Sequence, residues 1–447
     1  MESEIEFTAL VTGVRHYHGQ AECRMTDGKS TYSVQCHDCI PGRVMHIRGI
    51  VTDFTKMQVS LSEKMELSGE EEKEALRDIE SAAAANAIVS LDSWICNDET
   101  AKKMRVPMEA LARRILAASK LGRFVLLRFH NDADGISGAF ALTSFLRCRT
   151  YQQNSAVYSA RDAVRDLGNL HNESWPLVIL LDFGANKESS EGIKILKAAG
   201  IEVIIIDHHP PNNETLALAD LALTPWQFLG EERASRYVAG YLASEIAMMC
   251  GGVADFARVA CAGDKSEIIE VGEEDKKKAL VLDYLAANSS FGNNLDFYKS
   301  VLKNDDLFHS LWLQADEKIG EAASALLEGA KPRVVGELQI HIFDLDRVVI
   351  PKEFPNRSKV ATRMFEILGK ENVPLVVLGY GDRTVIMRAN AQAIEKKADL
   401  SRLASEIRAS MKDFVLSGGG HSRAAALQVK EGFAKLVIEE LIRMLGG

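Results

Sequence analysis

The sequence has no long uninterrupted apolar run. None of its stretches approaches the roughly 18 apolar residues that a membrane-spanning helix needs. The start of the chain, MESEIEFTAL, is acidic and has neither the basic residues nor the apolar core of a signal peptide. The 447 residues are 47% hydrophobic and 26% charged, as in folded, water-soluble proteins. We therefore expect a soluble cytoplasmic protein of about two to four domains that has no membrane partner.

Cysteine is too scarce and too scattered for a disulfide framework. The chain has seven cysteines, an odd number, which favours a reducing compartment. The only close pair is Cys36 and Cys39, in the sequence CHDC. A single CxxC pair is a weak indication of zinc, for which Cys23 or His37 would be further ligands. The alternative is a plain turn before Pro41, so the sequence leaves both readings open.

The chain is also short of positive charge. It has 53 Lys and Arg and 63 Asp and Glu, which gives a net charge of −10. A protein that holds duplex DNA by charge alone is usually basic. The deficit is uneven: residues 331–447 carry 19 basic and 14 acidic side chains, whereas residues 1–330 carry 34 and 49. The C-terminal part is therefore the better place for a polyanion, and bound divalent cations would offset part of the acidic excess.

Turn signals and periodicity divide the chain into five segments. Residues 1–66 read as short strands separated by turns, which predicts an OB-like β-barrel. Such barrels often bind single strands, although a packing or oligomerisation module fits equally well. The remaining segments are a helical connector (67–122), an α/β domain (123–265), a helical linker or insertion (266–333) and a second α/β lobe (334–447). The fold class predicted is thus α/β, with two α/β lobes, an N-terminal barrel and a helical insertion.

Side chains able to bind metal ions follow the apolar strands of the first α/β domain. The runs FVLLRF, LVILLDF and IEVIIID alternate with helices, which predicts a parallel sheet covered on both faces. Chemistry in such a sheet lies beyond the carboxyl ends of the strands. The candidates, which we take as strand-end groups, are His130, Asp132, Asp134, Asp182, Asp207, His208, His209 and Asp264. Together these groups predict one metal-binding crevice.

The number and kind of these groups favour two metal ions. His130, Asp132 and Asp134 alternate, so an extended backbone would point them the same way, and Gly135 permits a tight turn after them. Four aspartates with one or two histidines are too many ligands for one ion but fit two, roughly 3.5–4 Å apart. Mixed oxygen and imidazole ligands suit Mn²⁺, with Mg²⁺ as the alternative. Taken singly, an Asp at a strand end is usually a helix N-cap, and a His is more often a hydrogen-bonded structural residue than a ligand.

A second candidate site lies in LSGGGHSRAAAL, residues 416–427. Three glycines, Gly418, Gly419 and Gly420, would free backbone N–H groups to cradle an anion, with His421 and Arg423 as further donors. The alanines that follow would begin a helix whose N-terminus favours phosphate. Arg388 is a candidate phosphate clamp. The alternatives are a flexible loop for the glycines and a surface salt bridge for Arg388.

These motifs, in this order, resemble those of the DHH phosphoesterase superfamily. The shared features are His-x-Asp-x-Asp-Gly, a lone strand-end Asp, Asp-His-His and a later Asp, followed by Gly-Gly-Gly-His as in the DHH-associated domain. The resemblance covers about 120–265 and 335–447. An N-terminal barrel and a helical insertion are similar to the layout of archaeal RecJ-like nucleases, in particular the Hef-associated nuclease group.

The resemblance implies a two-manganese enzyme with its substrate between two lobes. The implied metal ligands are His130, Asp132, Asp134, Asp182, His208 and Asp264, with Asp182 as the bridge. Asp207 would orient His208, and His209 would lie near the phosphate; Asp134, Asp207 and His209 form the implied catalytic set. The implied substrate-binding residues are Arg388, Gly418, Gly419, Gly420, His421 and Arg423. The sequence departs from the pattern at Arg128, where some branches have a ligand His, and at Ile386, where a Ser is frequent.

The function implied is a RecJ-like exonuclease that degrades single-stranded DNA, with RNA as the open alternative substrate, from 3′ to 5′ in repair or replication-fork processing. It would act as a homo-oligomer, with a repair helicase or nuclease as partner. A phosphodiesterase for small substrates, such as oligoribonucleotides, pAp or cyclic dinucleotides, is the alternative among enzymes. A non-catalytic replisome scaffold is the alternative of another class. The barrel and the basic C-terminal lobe favour a polymer, and the filled ligand positions argue against a scaffold.

Overall fold

The structure is a computed structural model that describes residues 3–17, 20–91, 94–96, 99–173, 175–288, 294–351, 353–369 and 373–446. The chain forms two compact units. The first comprises Met1–Leu229, Arg236–Gly272 and Gly292–Leu295, and the second comprises Gly230–Ser235, Glu273–Phe291 and Asp296–Gly447. Within the described ranges, no helix combines the length and the apolar character needed to cross a membrane.

The first unit begins with a closed five-stranded barrel. Its strands are β1 (Ser3–Tyr17), β2 (Gln20–Thr26), β3 (Thr31–Gln35), β4 (Val44–Asp53) and β5 (Gln58–Glu66), in the order β1-β2-β3-β5-β4. Side chains alternate between buried and exposed along β3 and β4, because successive residues of a strand face opposite sides. The barrel predicted from the turn spacing is confirmed.

Three helices connect the barrel to the sheet: α1 (Gly69–Ala85), α2 (Glu99–Lys102) and α3 (Arg105–Lys120). A largely buried cluster of two arginines and two glutamates fixes α1 and α3. Arg114 of α3 donates two hydrogen bonds to Glu202, at 2.6 and 2.9 Å, and also contacts Glu80 of α1. Arg123 contacts both glutamates. Because the two charge types balance, this ionic quartet is neutral, and it ties the connector to the base of the sheet.

The second part of this unit is a parallel sheet of β6 (Val125–His130), β7 (Arg149–Gln153), β8 (Leu177–Leu181), β9 (Glu202–Ile206) and β10 (Leu221–Leu223), in the order β10-β9-β8-β6-β7. Its helices are α4 (Ala133–Thr143), α5 (Ala160–Leu170), α6 (Ser190–Ala198), α7 (Asn213–Leu216), α9 (Ala239–Met249) and α10 (Ala257–Gly263), while α8 (Glu231–Ala234) belongs to the second unit. Every residue of β8 and β9 is buried, as predicted for a sheet covered on both faces. The edge strand β7 was not foreseen, because its sequence RTYQQ is polar.

The second unit continues with α11 (Glu273–Asn288), α12 (Leu295–Lys303) and α13 (Asp305–Leu327). Its sheet has the order β11-β12-β13-β14-β16-β15, from β11 (Arg333–Val335), β12 (Leu338–Asp344), β13 (Leu375–Gly381), β14 (Thr384–Ala389), β15 (Val415–His421) and β16 (Ala424–Val429). The helices α14 (Arg357–Leu368), α15 (Ala391–Glu395), α16 (Leu400–Ser410) and α17 (Ala434–Gly446) complete the unit. The predicted second α/β lobe is confirmed.

One expectation for this lobe is wrong. The alanines after Arg423 do not begin a helix, since Ala424, Ala425 and Ala426 lie in β16 and pair with β15. The glycine run is itself in β15, so the two segments form a hairpin. Pairing between strands has overridden the helical preference of alanine.

A buried ion pair anchors the centre of β6. Arg128 donates from Nε and Nη2 to the two carboxylate oxygens of Asp166, at 2.5 Å each, and from Nη1 to Gln153 at 2.8 Å. The hydroxyl of Tyr158 donates to Asp166 at 2.7 Å. Both charged side chains are at most 1% exposed, so neither reaches solvent. Position 128, where some DHH branches have a ligand His, therefore carries a structural arginine.

We predict that Asp166→Ala lowers the free energy of unfolding by about 3–5 kcal/mol, because it leaves the Arg128 guanidinium buried without a counter-charge. Urea denaturation of the full chain measures the loss. Glu70→Gln is the matched control, since Glu70 pairs with Lys73 at 2.6 Å on an exposed helix face and should give no measurable change. A loss no larger than that of the control would contradict the stabilising role of the buried pair.

Candidate metal centre

The segment HNDADG joins the end of β6 to the start of α4. His130 ends the strand, and its Nδ1 lies 2.6 Å from Asp132 Oδ2. Asp132 is the N-cap of α4, and its Oδ1 accepts a hydrogen bond from the backbone of Gly135 at 3.0 Å. Asp134 already lies in the first helical turn. The extended alternation expected for all three residues therefore holds only as far as Asp132, and Asp134 enters the site from the helix.

The start of α9 fixes the carboxylate of Asp134. Its two oxygens accept hydrogen bonds from the backbone N–H groups of Ala239 and Gly240, at 2.9 and 2.8 Å. A β-carbon on Gly240 would lie 2.8 Å from Asp134 Oδ1 and 2.7 Å from Ala260, so only glycine fits. Sequence reasoning missed this contact. Its only signal was a glycine in the first turn of an otherwise apolar helix.

Asp182 follows β8 in a conformation that is rare for a residue with a side chain, with φ +66°. Both carboxylate oxygens are buried, and no described donor bonds them with ordinary geometry. Three imidazole nitrogens surround them: His130 Nδ1 at 3.6 Å, His208 Nε2 at 3.4 Å and His209 Nδ1 at 3.8 Å. A buried carboxylate is costly without a cation or hydrogen bonds, and strained backbone is concentrated at functional sites. Asp182 is therefore placed to hold a cation.

The sequence Asp207-His208-His209 follows β9. Asp207 Oδ1 accepts hydrogen bonds from the backbone N–H and the ring Nδ1 of His209, at 3.1 and 2.8 Å. Its Oδ2 accepts one from the backbone of Ala185 at 3.0 Å. Burial raises the pKa of Asp207, but the charge and hydrogen bond of His209 dominate and hold it at about 2. Asp207 was expected to orient His208; its hydrogen bonds instead fix His209.

His208 and Asp264 form the opposite side of the cluster. His208 Nε2 lies 3.2 Å from Asp264 Oδ2 and 3.8 Å from Asp134 Oδ2. Asp264 was expected at a strand end, but it is the C-cap of α10, because the apolar segment ARVACAG is helical. A β-carbon on Gly263 would lie 2.9 Å from that of Ala133, so this glycine lets α10 approach α4. The helix brings its carboxylate to the same edge that the strand ends form.

The eight predicted groups lie at one edge of the sheet, and seven of them form three overlapping sets. Ligand atoms within a set lie within 4.8 Å of one another; the sets are Asp182 with His208 and His209, His130 with Asp132 and Asp182, and Asp134 with His208 and Asp264. Burial, followed by repulsion from Asp182 and Asp264, raises the pKa of Asp134 well above its usual range. A bound divalent cation would relieve this repulsion. The donor set of carboxylates and imidazoles thus fits Mn²⁺ and related ions.

The predicted phosphate-binding residues lie in the second unit. Gly418 and Gly420 have φ +153° and +147°, and a β-carbon on either would lie within 2.6 Å of the backbone of β16. They occupy the edge strand β15, so the flexible-loop alternative does not hold. Arg423 is exposed in the turn of the hairpin, and the His421 side chain is outside the described part of the structure.

Arg388 is buried, and no described carboxylate lies within ion-pair distance of its guanidinium. It donates to Ser358 Oγ at 2.8 Å, to the carbonyl of Met387 at 2.9 Å and to Thr362 Oγ1 at 3.3 Å. Burial lowers its pKa to about 10. Arg388 pairs with Ala424, which in turn pairs with His421, so the glycine hairpin lies beside it in the sheet. The surface salt bridge considered from sequence is thus replaced by a guanidinium without a counter-charge.

We predict that Mn²⁺ raises the midpoint of thermal unfolding and that Asp182→Asn removes most of this rise. A cation at 100 times its Kd adds about 2.7 kcal/mol, or roughly 5–10 °C for a unit of this size. Scanning calorimetry with Mn²⁺ and with EDTA measures both proteins. Asp255→Asn, an exposed aspartate outside the cluster, is the control and should respond as the wild type does. Equal midpoints in Mn²⁺ and EDTA for the wild type would contradict the metal centre.

The chain is similar to known proteins in sequence and in fold. The family model described as "DHH family, N-terminal domain" matches residues 124–252. An uncharacterized protein of Methanocaldococcus jannaschii is 23% identical over 479 residues, covering 90% of this chain but only 62% of the relative's own length. The chain therefore spans less than two thirds of that relative.

Two solved structures share the fold. One, described as the DHH domain of a member of a family of ribosomal proteins, superimposes with a TM-score of 0.71 at 22% identity, covering 85% of this chain and 99% of the other. RecJ from Thermus thermophilus, solved in complex with Mn²⁺, gives a TM-score of 0.51 at 14% identity, covering 82% of this chain and 59% of RecJ. Residues 124–252 thus match the DHH family's N-terminal domain, and the chain shares its fold with the DHH-domain protein and with RecJ.

Proposed function

We propose that this protein is a metal-dependent phosphoesterase, and in particular a two-metal exonuclease that degrades single-stranded nucleic acid from the 3′ end. One observation carries the proposal: the two buried oxygens of Asp182 face three imidazoles at the carboxyl edge of a parallel sheet. This is the edge at which open α/β sheets bind their ligands. A role in DNA repair, assembly into a homo-oligomer and a repair helicase or nuclease as partner belong to the same proposal.

The overlap among the three ligand sets supports two cations. His130 and Asp132 would hold one ion, and Asp134, His208 and Asp264 would hold the other; Asp182, which lies near both His130 and His208, would be available to either ion. Five aspartates surround the site, so two divalent ions balance the charge better than one when the imidazoles are neutral ligands. When bound, such ions supply Lewis-acid activation of water and of a phosphoryl group, which is the chemistry of phosphodiester hydrolysis.

His209 is the group best placed to transfer a proton. Its side chain is 39% exposed, so a substrate can reach it, unlike the buried His208. Because the Nδ1–H of His209 donates to the buried Asp207, the ring presents Nε2 as its second functional nitrogen. Asp207 thereby sets the tautomer, as the carboxylate does in other acid–base pairs. We assign His209 to contact with the phosphate or the leaving oxygen.

Arg388 and the glycine hairpin would hold a phosphate of the substrate. A buried guanidinium that donates only to hydroxyl and carbonyl oxygens keeps its full positive charge, which favours an anionic ligand. The adjacent strand β15 lies at the edge of its sheet, and its glycines add no side chain that would shield the backbone N–H groups. Arg423 extends the positive surface at the tip of the hairpin.

A groove at the base of the first unit's sheet supports a polymeric substrate. A cavity of about 1030 Å³ lies between the barrel and the start of β6, and a second, of about 470 Å³, shares Thr12, Leu121 and Gly122 with it. Besides Arg123 of the ionic quartet, five basic side chains line this groove: Arg24, Lys29, Lys120, Arg147 and Arg149. Among the described residues, none of the five forms an ion pair, and Glu173 is the one acidic residue of the lining. Residues 1–330 are acidic on average, so this unpaired cationic groove stands out within them.

The groove also offers aromatic rings and lies far from the metal centre. Phe124 and Trp175 line it, and the guanidinium groups of Arg149 and Arg123 lie over these rings, 5.6 and 4.4 Å from the ring centroids, so the rings hold cationic side chains at the groove. Val125 at the groove begins β6 and His130 at the metal centre ends it, a separation of roughly 17 Å along the strand. A ligand that contacts both places must be several nucleotides long. This length requirement favours an oligonucleotide over a cyclic dinucleotide or pAp.

We predict that reversing two groove charges, Arg147→Glu with Arg149→Glu, weakens binding of single-stranded DNA at least about tenfold. The plot of log K against log salt should become less steep by about 1.4, because each phosphate contact on a single strand contributes about 0.7 to the magnitude of the slope. Fluorescence anisotropy of a labelled oligothymidine in EDTA measures binding without cleavage. Arg161→Glu with Arg165→Glu, on the exposed face of α5, is the matched control. Equal weakening in both double variants would remove the groove from the proposal.

We predict that the pure protein with Mn²⁺ shortens a 5′-labelled single-stranded DNA to a ladder, whereas a 3′ label is released at once as a mononucleotide. Asp134→Ala should abolish both activities, because it removes a ligand held by the start of α9. Untouched DNA together with hydrolysis of pAp or dinucleotides would favour the small-substrate phosphodiesterase. No hydrolysis of either substrate with any divalent ion would favour the replisome scaffold.

A further inference from the structure

Three cysteines converge in the wall of the barrel, away from the candidate metal centre. Cys23 lies in β2, Cys36 directly follows β3, and Cys39 lies in the turn after it. Their sulfur atoms lie within 4.8 Å of one another, and those of Cys36 and Cys39 are 3.0 Å apart. The strand pairing explains the meeting, because Cys23 pairs with Val34, two residues before Cys36. Residues 13 positions apart in sequence thus present their thiols to one point.

The turn between Cys36 and Cys39 is shaped to bring both thiols to the same side. Asp38 adopts φ +65°, which closes the turn in a conformation that L-residues seldom adopt. Lys64 Nζ donates to the carbonyl of His37 at 2.5 Å, so a fixed positive charge lies beside the thiols. The other described cysteines, Cys96, Cys148, Cys250 and Cys261, form no such group. The clustering is therefore specific to the barrel and is not a general property of the chain's cysteines.

We propose that Cys23, Cys36 and Cys39 bind one structural zinc ion, with His37 or solvent in the fourth position. Zinc is held by thiolate and imidazole ligands in tetrahedral structural sites, and CxxC is the usual spacing of two of them. Soft sulfur ligands distinguish this site from the oxygen and imidazole donors at the sheet edge, which suit harder ions. Each of the three thiols releases one proton when zinc binds.

The ion would fix one wall of the basic groove. The loop that begins at Cys36 continues to Pro41 and Gly42, which line the larger cavity. The backbone of Gly42 donates to the carbonyl of Val11 at 2.8 Å, which closes the loop against β1. Zinc at the start of this loop restricts it at the opposite end. The proposal does not depend on phosphodiester hydrolysis, since it concerns the barrel alone.

Metal content and a spectroscopic probe test the site on the full chain. We expect about one zinc ion per chain after purification and EDTA-free dialysis, measured by plasma mass spectrometry. Replacement by Co²⁺ should give a near-ultraviolet band from thiolate-to-metal charge transfer, which carboxylate and imidazole ligands do not produce. Cys39→Ser should lose the band and the zinc, and Cys250→Ser, at a cysteine outside the cluster, should keep both. His37→Ala should keep the band and lose the zinc faster to a chelator if His37 is the fourth ligand; unchanged release assigns that position to solvent.

If a variant does not fold, the spectrum of the wild-type protein with Co²⁺ is sufficient to test whether the thiols bind the metal. A wild type without the thiolate band in Co²⁺, or a Cys39→Ser variant with unchanged band and zinc, would overturn the proposal. Loss of two free thiols per chain on mild oxidation, with no bound zinc, would overturn it in favour of a redox-active pair of Cys36 and Cys39. Asp182→Asn separates the two sites: it should retain the thiolate band while losing the response to Mn²⁺.

Discussion

The carboxylate of Asp134 is the point at which the fold and the chemistry of the first unit meet. Its oxygens cap α9 through Ala239 and Gly240, and the same oxygens face His208 and Asp264. The helices α4 and α9 approach so closely that a β-carbon on Gly138 would lie 3.0 Å from the α-carbon of Gly240. Glycines at this contact let one carboxylate serve both as helix cap and as candidate ligand. Its position is therefore set by backbone rather than by a flexible side chain.

The parallel sheet accounts for where the acidic groups meet. Its central strands are buried on both faces, so polar side chains are admitted only where the strands end. Asp182 and Asp207 leave adjacent strands at the same edge, and α4 and α10 add Asp134 and Asp264 to it. The repulsion among these carboxylates is a cost that the buried core must overcome. The hydrogen bonds do not fully compensate the negative charge of these carboxylates. A bound cation would remove the remaining repulsion, and this gain adds to its binding free energy.

The strand-end groups and the barrel were predictable because both rest on short-range patterns. Apolar runs that end in Asp or His locate an edge, and turns at regular spacing indicate a barrel. The contact of Asp207 with His209 was not predictable, since neighbouring imidazoles compete for one carboxylate and only the backbone decides between them. The helix expected after Arg423 failed because pairing with the glycine strand outweighed local propensity. The basic groove could not be predicted from the sequence. Its residues are spread from Arg24 to Arg149 along the chain and come together only in the folded unit.

The ionic quartet of Glu80, Arg114, Arg123 and Glu202 bears on how far the barrel, the connector and the sheet are separable modules. A domain boundary drawn between 122 and 123 passes through it, leaving one arginine and one glutamate on each side. Cutting or grafting the chain there would expose both half-clusters, and any new partner surface would have to supply matching charges in matching positions. Recombination ahead of α1 would break a different contact, the apolar core that Leu10 and Val44 of the barrel form with Ile79 and Ala83 of α1. The helical connector is therefore joined to the barrel by apolar packing and to the sheet by paired charges, and a graft at either end has to replace one of these two contacts.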